Sequence, residues 1–200
     1  FSMEGGSDMR GALRRHIDEG GMAAVRQPGP LGGTLVWWNG GRCEPLLDAA
    51  DVPATLGGAA EFNIANALAA AAMTLSHGID ADVVRRALGH FTSSFEESPG
   101  RLNIHDMSNG VRVIVDYAHN EAAVTALGRL IDRMRPDHRR VFGVVSIPGD
   151  RRDEDIRGMG ALAAKLFDEI MFREAPDGRG RPAGSINALL AEGAIAAGHD

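Results

Sequence analysis

The chain has 200 residues, of which 44% are hydrophobic and 24% charged, and this balance excludes an intrinsically disordered protein. Its formal net charge of −6 argues against a general nucleic-acid-binding surface, although it allows a local basic site for an anionic ligand such as a nucleotide. The longest apolar stretch, ALAAAAMTL, is too short and too alanine-rich to span a membrane, and the only cysteine, Cys43, excludes an intramolecular disulfide, so we expect a cytoplasmic protein.

The first 60 residues are rich in glycine and short apolar runs, which predicts short strands joined by tight turns. A hairpin turn is expected at NGG, residues 39–41, because asparagine and glycine tolerate positive φ. The stretch AEFNIANALAAAAMTLSHG then predicts a long helix that stops at Gly78, and Asp80 is expected to cap a second helix, ADVVRRALGHF.

A break follows in TSSFEESPGR, which lacks periodicity and carries Pro99 and Gly100. We therefore expect a domain boundary near residue 98, with one domain over residues 1–98 and another over residues 99–200. The abrupt first residues, FSMEGGSDM, indicate a piece of a longer protein.

After this boundary, apolar strands alternate with amphipathic helices. The strands are LNIHDM, VRVIVDY, RVFGVVSI and EIMFRE, and the helices are EAAVTALGRLIDRM, DEDIRGMGALAAKLF and SINALLAEGAIAAG. This rhythm predicts an α/β fold with a mostly parallel sheet and flanking helices. In such sheets ligands bind beyond the carboxyl ends of strands, so the turns after VRVIVDY and RVFGVVSI are expected to line one edge.

The first of these turns holds Asp116, Tyr117, His119 and Asn120. A carboxylate at a strand end can accept two hydrogen bonds from a ribose diol, a tyrosine offers a stacking face, and the histidine and the amide offer donors to phosphate. Alternatively, Asn120 caps the following helix and His119 fills the turn. Both interpretations stay open.

The second turn, PGDRRDED, holds Asp150, Arg151 and Arg152. Gly149 permits close approach of the backbone, the helix start favours an anion, and arginine binds carboxylate or phosphate through two hydrogen bonds. The alternative is structural: Asp150 caps a helix with an acidic first turn, or the charges form a solvated ion network.

Two further stretches offer binding groups. Asn63 and Asn66 lie three apart on one helix face, where two amides could read a base edge or satisfy the loop backbone. Glu174, in FREAPDGRGRP, could hold a cationic substrate or belong to an exposed polar loop. The seven histidines show no metal-ligand spacing, so no protein metal site is predicted in this chain.

Five segments in this order, FNIANALAAA, SPGRLN, VDYAHN, PGDRRDEDI and REAPDGRGRP, resemble the Mur ligase family over essentially the whole chain. VDYAHN and the N-x-x-N helix are general to the family. GDRRDEDI and RE…RGRP point to the branch that adds arginine to the β-carboxylate of poly-aspartate. The resemblance implies that residues 1–98 end a central ATPase domain with a small β-sheet and helices, and that residues 99–200 form most of a carboxy-terminal Rossmann-like domain.

The resemblance also implies ATP-dependent amide formation by the full-length enzyme, with Mg²⁺. A carboxylate attacks the γ-phosphate to give an acyl phosphate, and an amine then displaces phosphate. The implied partners are ATP, an aspartate polymer and an amino acid, arginine, with no nucleic acid and no membrane. The full-length enzyme is expected to be a homo-oligomer.

The resemblance assigns the nucleotide-binding positions one by one. It implies that Asn63 and Asn66 lie near the adenine. Arg101 and Asp116 would then hold the ribose, with Tyr117 beside it.

For the reacting groups, the resemblance implies that the catalytic positions His119 and Asn120 line the phosphate side of the cleft between the domains. Glu174 is the candidate partner of the incoming guanidinium. The positions that would face the acceptor or the closing domain are Asp150, Arg151 and Arg152.

Some positions depart from the family pattern. Phe62 stands where histidine often precedes the first asparagine, Glu121 where proline commonly follows DYAHN, and Ala175 where an acid often follows the RE pair. These departures concern the fine geometry and the substrate, not the fold.

The largest departure is that the sequence contains no G-x-x-x-x-G-K-[ST] loop to cradle the β- and γ-phosphates. We therefore expect this chain to be inactive alone. The alternatives to the arginine-adding branch are another Mur-type ligase, for folylpolyglutamate or a peptidoglycan precursor, or a non-catalytic Mur-like module for binding or assembly.

Overall fold

The computed structural model describes residues 1–5, 11–137 and 139–199. The chain divides into two compact units, Phe1–Tyr117 and Ala118–Asp200. The domain boundary expected near residue 98 stays a prediction. No helix within the described ranges combines the length and the apolar character that crossing a membrane requires.

The described residues of the first unit form a three-stranded antiparallel sheet in the order β1–β2–β3, three α-helices and a separate β-hairpin. Its elements in chain order are α1 (Ala12–Asp18), β1 (Ala23–Gln27), β2 (Thr34–Asn39), β3 (Arg42–Asp48), α2 (Glu61–Ser76), α3 (Ala81–His90), β4 (Asn103–Asp106) and β5 (Arg112–Val115). The turn between β2 and β3 has Gly40 and Gly41 at φ of 57° and 78°, which confirms the predicted hairpin.

The helix α1 was not predicted, because sequence reasoning assigned the first 60 residues to strands and turns. Its seven residues are followed by glycines, and only Leu13 and Ile17 show the i, i+4 spacing of an apolar helix face. Ile17 is buried with Val25 and Val36 of the sheet. One turn of periodicity is too little to distinguish a helix, so its packing against the sheet decides the conformation.

The core of the first unit lies between α2 and the sheet. Ile64, Leu68 and Ala71 are fully buried and share one apolar cluster with Leu35 and Trp37 of β2. Their spacing of four and three residues places them on one face of the helix. The small alanine side chains let this face lie close to the strands.

The ends of these helices follow local chemistry. α2 ends before Gly78, which adopts φ of 80°, a conformation that glycine reaches without a steric penalty. The side chain of Asp80 accepts a hydrogen bond from the Asp82 N–H and caps α3. The predicted stop and the predicted cap are both confirmed.

The strands β4 and β5 pair antiparallel, from Asn103 opposite Val115 to Asp106 opposite Arg112. The strand rhythm alone did not distinguish this pair from the parallel strands that follow. The physical reason is the connection: it contains five residues between Asp106 and Arg112, and a parallel pair needs a crossover of a dozen residues or so.

The second unit alternates helix and strand as predicted. Its elements are α4 (Glu121–Met134), β6 (Phe142–Val145), α5 (Asp153–Leu166), β7 (Glu169–Phe172) and α6 (Ser185–Ala196). β6 and β7 pair in parallel through the crossover helix α5. The α/β fold class is therefore confirmed. Because β5 lies in the first unit and β6 in the second, the shared edge of their two turns stays a prediction.

The helices α5 and α6 approach each other through two glycines. A Cβ atom at Gly160 would overlap the Leu190 carbonyl oxygen, and a Cβ at Gly193 would overlap the Arg157 carbonyl oxygen. Each glycine thus meets the backbone of the other helix. Arg157 also pairs with Glu192 at 2.8 Å across the same contact.

We predict that Gly160→Ala or Gly193→Ala lowers the free energy of unfolding by about 1–3 kcal/mol, because the added methyl group must push two backbones apart. Chemical denaturation of the purified protein measures the change.

Gly158→Ala is the matched control, because Gly158 lies in α5 as well and a Cβ there would meet nothing within 4 Å. This variant should gain about 0.5–1 kcal/mol from the helix preference of alanine over glycine. Equal effects of all three substitutions would contradict the close contact.

Candidate functional site

The turn after β5 is tied to the segment that precedes β4. Asp116 Oδ2 accepts a hydrogen bond from the Leu102 N–H at 2.8 Å, and the Tyr117 N–H donates to the Gly100 carbonyl at 2.8 Å. Asp116 is half-buried. One of its oxygens therefore has a structural role.

Arg101 and Tyr117, which lie in these two hydrogen-bonded segments, form a cation–π pair. The Arg101 guanidinium carbon lies 5.2 Å from the centroid of the Tyr117 ring, and Tyr117 is 58% exposed. A guanidinium, an aromatic face and the neighbouring carboxylate of Asp116 are thus gathered in one place. These groups can bind a ligand that combines hydroxyl groups with a flat ring.

Sequence reasoning missed Asn103, the side chain that organises this segment. It is buried, and its Nδ2 donates to the Ser93 and Ser98 carbonyls at 2.9 and 3.0 Å. Its Oδ1 accepts from the Gly100 N–H at 2.6 Å. The nearby Pro-Gly pair indicated a turn, but no local pattern identified the amide that would hold it.

Asn63 and Asn66 contact each other in the first turns of α2. Asn66 Nδ2 donates to Asn63 Oδ1 at 3.1 Å, while Asn63 Nδ2 donates to the Ala54 carbonyl at 2.6 Å. The Asn63 amide therefore satisfies loop backbone, as the structural alternative expected. Asn66 is the exposed member of the pair.

In the second unit, Asn120 caps α4. Its Oδ1 accepts from the Ala123 N–H at 2.9 Å, which is the structural alternative for this residue. His119 lies half-buried in the same turn. An open groove of about 730 Å³ begins at this turn and follows one face of α4; it is lined by Asn120, Glu121, Ala122, Thr125, Ala126 and Arg129.

The loop after β6 is fastened to the loop after β7 by two arginines. Arg179 pairs with Asp150 at 2.8 Å. Arg181 donates to the Gly149 and Arg151 carbonyls at 2.6 and 2.7 Å, and it also pairs with Asp153. The two loops therefore form one polar assembly.

The same assembly explains the glycine and corrects one interpretation. A Cβ atom at Gly149 would overlap the Gly178 carbonyl oxygen, so close packing of the two loops requires this glycine. The N-cap of α5 is Arg152, without a side-chain cap, so the alternative that Asp150 caps α5 is wrong. Arg152 pairs with Asp155 at 2.7 Å on an exposed surface, as the ion-network alternative expected.

Glu174 connects the beginning of the loop after β7 to its end. Its Oε2 accepts from the Gly184 N–H at 2.6 Å, directly before α6. Its Oε1 is buried and has no hydrogen-bond donor among the described residues. Glu174 is partly exposed, and most of the loop that follows it is exposed, so both alternatives for this residue stay open.

Among the residues that the structure describes, no three histidine, cysteine, aspartate or glutamate side chains lie together in a way that could hold a metal ion.

The second half of the chain matches a known protein family. The model of the Mur ligase glutamate ligase domain matches residues 100–199. The chain belongs to the Mur ligase family. The resemblance predicted from the sequence motifs is thereby confirmed, and the members of this family are ligases.

The relatives of this Mur ligase family member include cyanophycin synthetases and a ligase with a different name. The cyanophycin synthetase of Trichormus variabilis is 39% identical over 96% of the chain, and that of Synechocystis sp. is 39% identical over 92%. The UDP-N-acetylmuramoyl-L-alanyl-D-glutamate–2,6-diaminopimelate ligase of Corynebacterium efficiens is 32% identical over 74% of the chain. The chain spans about 20% of the length of the two cyanophycin synthetases.

We predict a pH dependence from the pair that joins the two loops. The hydrogen bond from Arg179 holds the pKa of Asp150 below its usual value. The stabilisation is therefore complete above the usual aspartate pKa of about 3.9, and it is lost as the pH falls through the lower folded value. Asp150→Asn should lower the Tm at about pH 7 and about pH 4.5, and the difference from the wild type should narrow as the pH falls to about 2.5.

Thermal unfolding at these three pH values measures the difference. Asp132→Asn is the control, because Asp132 is exposed and forms no ion pair with a described residue. A Tm difference for Asp150→Asn that stays constant down to about pH 2.5 would contradict the ion pair.

Proposed function

We propose that this chain is part of an ATP-dependent acid–amino-acid ligase of the cyanophycin synthetase type. The observation that carries the proposal is the 39% identity to a cyanophycin synthetase over 96% of the chain. The full-length enzyme would add arginine to the β-carboxylate of poly-aspartate. Its Mg²⁺ requirement, its cytoplasmic location and its assembly as a homo-oligomer stay predictions from the resemblance.

The nucleotide would be held by the groups of the first unit. Asp116, whose Oδ2 accepts from the Leu102 N–H, would accept the ribose hydroxyls, and Arg101 and Tyr117 would contact the ribose and its surroundings. Asn66, the exposed member of its pair with Asn63, is the better candidate for the adenine edge. The geometry supports these roles because Arg101 lies over the exposed Tyr117 ring and Asp116 belongs to the same turn.

The phosphate side would be lined by His119 and Asn120. Asn120 Oδ1 already accepts from Ala123, so only its amide N–H₂ is available as a donor to a phosphoryl oxygen. The groove along α4 adds Arg129, whose guanidinium forms no ion pair with a described residue. Together these groups supply donors where negative charge develops.

The acceptor side would be formed by the loops after β6 and β7. Asp150 and Arg152 are engaged with Arg179 and Asp155, so their role is to hold the loops in shape. Arg151 is exposed, and its side chain forms no ion pair with a described residue, which leaves it able to bind the carboxylate of an acceptor.

The proposed reaction has two steps. An acceptor carboxylate oxygen attacks the γ-phosphorus of ATP, and ADP leaves to give an acyl phosphate. The α-amine of arginine then attacks the acyl carbon, the C–O bond to phosphate breaks, and the amine proton is lost. Donors that neutralise the phosphoryl oxygens and exclude water would favour the second step over hydrolysis.

We expect no ATP-dependent turnover from this 200-residue chain by itself, because its sequence lacks the glycine-rich loop and lysine that cradle the β- and γ-phosphates. Phosphate release is measured with ATP, aspartate polymer and arginine, with a full-length cyanophycin synthetase as the positive control. Turnover by the chain alone would contradict this expectation.

In the full-length enzyme, Asp116→Ala should raise the KM for ATP at least about tenfold, since a hydrogen bond to a charged group contributes about 1.5–3 kcal/mol. The KM for arginine should change far less. His119→Ala should mainly lower kcat. Steady-state kinetics with each substrate varied in turn measures the three effects.

Asp116→Asn separates binding from folding, because the amide retains an oxygen for the Leu102 N–H but carries no charge. Asp116→Asn should keep the Tm and still raise the KM for ATP. If Asp116→Ala lowers the Tm and neither variant affects the KM for ATP, the carboxylate only ties the turn.

A second candidate is a ligase for a different amine, which the 32% identity to a 2,6-diaminopimelate ligase supports. Competition among arginine, 2,6-diaminopimelate and glutamate for incorporation by the full-length enzyme decides between the two. Preference for an amine other than arginine would overturn the arginine assignment and leave the ligase assignment intact.

A further inference from the structure

The groove along α4 is lined by one acid and one arginine, which lie at its two ends. Glu121 is the first residue of the helix and directly follows Asn120, whereas Arg129 lies farther along the same helix. Both side chains are exposed, and neither forms an ion pair with a described residue. Two opposite charges without a partner in the described part of the chain therefore line one groove.

The helix keeps these two charges apart. Glu121, Thr125 and Arg129 follow one another at intervals of four residues, so they form one row on the helix surface. The whole row spans about two turns, or about 12 Å, whereas side chains on a helix pair when they are one turn apart. The groove residues between the charges, Ala122, Thr125 and Ala126, have short side chains. The groove thus has a largely apolar floor and a charge at each end.

The polymer made by the proposed reaction has complementary chemistry. When the α-amine of arginine has formed the amide bond, the attached arginine keeps its α-carboxylate and its guanidinium, which lie at opposite ends of its methylene chain. Each unit that already carries arginine is therefore a zwitterion with an apolar middle. A unit of unmodified poly-aspartate carries only a carboxylate, which the charge of Glu121 would repel.

We propose that the groove along α4 binds an arginine-bearing unit of the polymer that precedes the reacting aspartate. Glu121 pairs with its guanidinium, Arg129 binds its α-carboxylate, and its methylene chain lies along the apolar floor, as the stems of long charged side chains do on other apolar surfaces. This site rests on the proposed function and gives Arg129 a specific anion. The enzyme then prefers an acceptor that already carries arginine.

The acid end of the groove is a departure of this chain from its family pattern. Glu121 stands where proline commonly follows DYAHN, and proline offers no charge to a ligand. The pairing of an acid with Arg129 in one groove therefore belongs to this sequence and does not follow from the general motif.

The test uses the full-length enzyme and two short aspartate oligomers that end in the same unmodified aspartate. One oligomer carries arginine on every preceding unit, and the other carries none. Glu121→Gln and Arg129→Gln should each lower the preference for the arginine-bearing oligomer, measured as the ratio of the kcat/KM values of the two acceptors, at least about threefold. A smaller fall in either variant overturns the site.

The ratio distinguishes this site from two other effects. If Arg129 contacted only phosphoryl oxygens, its loss would affect both acceptors equally and the ratio would stay the same. A general effect of net charge would move the ratio in opposite directions, because Glu121→Gln removes a negative charge and Arg129→Gln a positive one. Asp132→Asn is the control, because Asp132 is exposed on the same helix and does not line the groove, so this variant should keep the ratio.

The proposed function and this site can fail separately. If the wild-type enzyme attaches another amine and not arginine, the proposed function fails. Calorimetric titration of the full-length wild type and of both glutamine variants, with an aspartate oligomer that carries arginine on every unit, then tests the site directly. Weaker binding to both variants than to the wild type supports the site, and any other result overturns it.

Discussion

The second unit depends on the backbone contact between α5 and α6. Gly160 and Gly193 each lie against a carbonyl of the opposite helix, so the two axes approach more closely than any larger side chain would allow. This contact fixes the relative position of the two helix starts. The loops that carry Asp150 and Glu174 lead into these starts. The close packing of the two helices therefore positions the polar side chains of both loops.

Arginine has two different roles in this assembly. Arg179 and Arg181 are used internally, since they bind the carboxylate and the carbonyl groups of the neighbouring loop. Arg151 has its guanidinium in solvent. Guanidinium groups suit both roles because their planar donors bind several oxygens at once. The number of arginines in this part of the sequence is therefore larger than the number whose positive charge is available to a substrate.

In the first unit, polar side chains also hold loop backbone in place. Asp116 uses Oδ2 to hold the Leu102 backbone, and the buried Asn103 holds the segment around it. Arg101 is then placed over Tyr117, whose ring is largely exposed. A rigid segment of this kind suits a binding site, because little conformational entropy remains to be lost when a ligand binds.

The sequence by itself determined the family, the α/β class, the helices α2 to α6, the stop of α2 before Gly78 and the cap of α3, because these follow from motifs, local periodicity and residues such as Asp80. It did not reveal α1, whose single apolar turn becomes a helix only against the sheet. It also left open whether Asn120 caps a helix or binds a ligand. Only the tertiary structure showed which side-chain contacts form, because the partner of a side chain is often set by residues far away in the chain: Asp150 pairs with Arg179, 29 positions later.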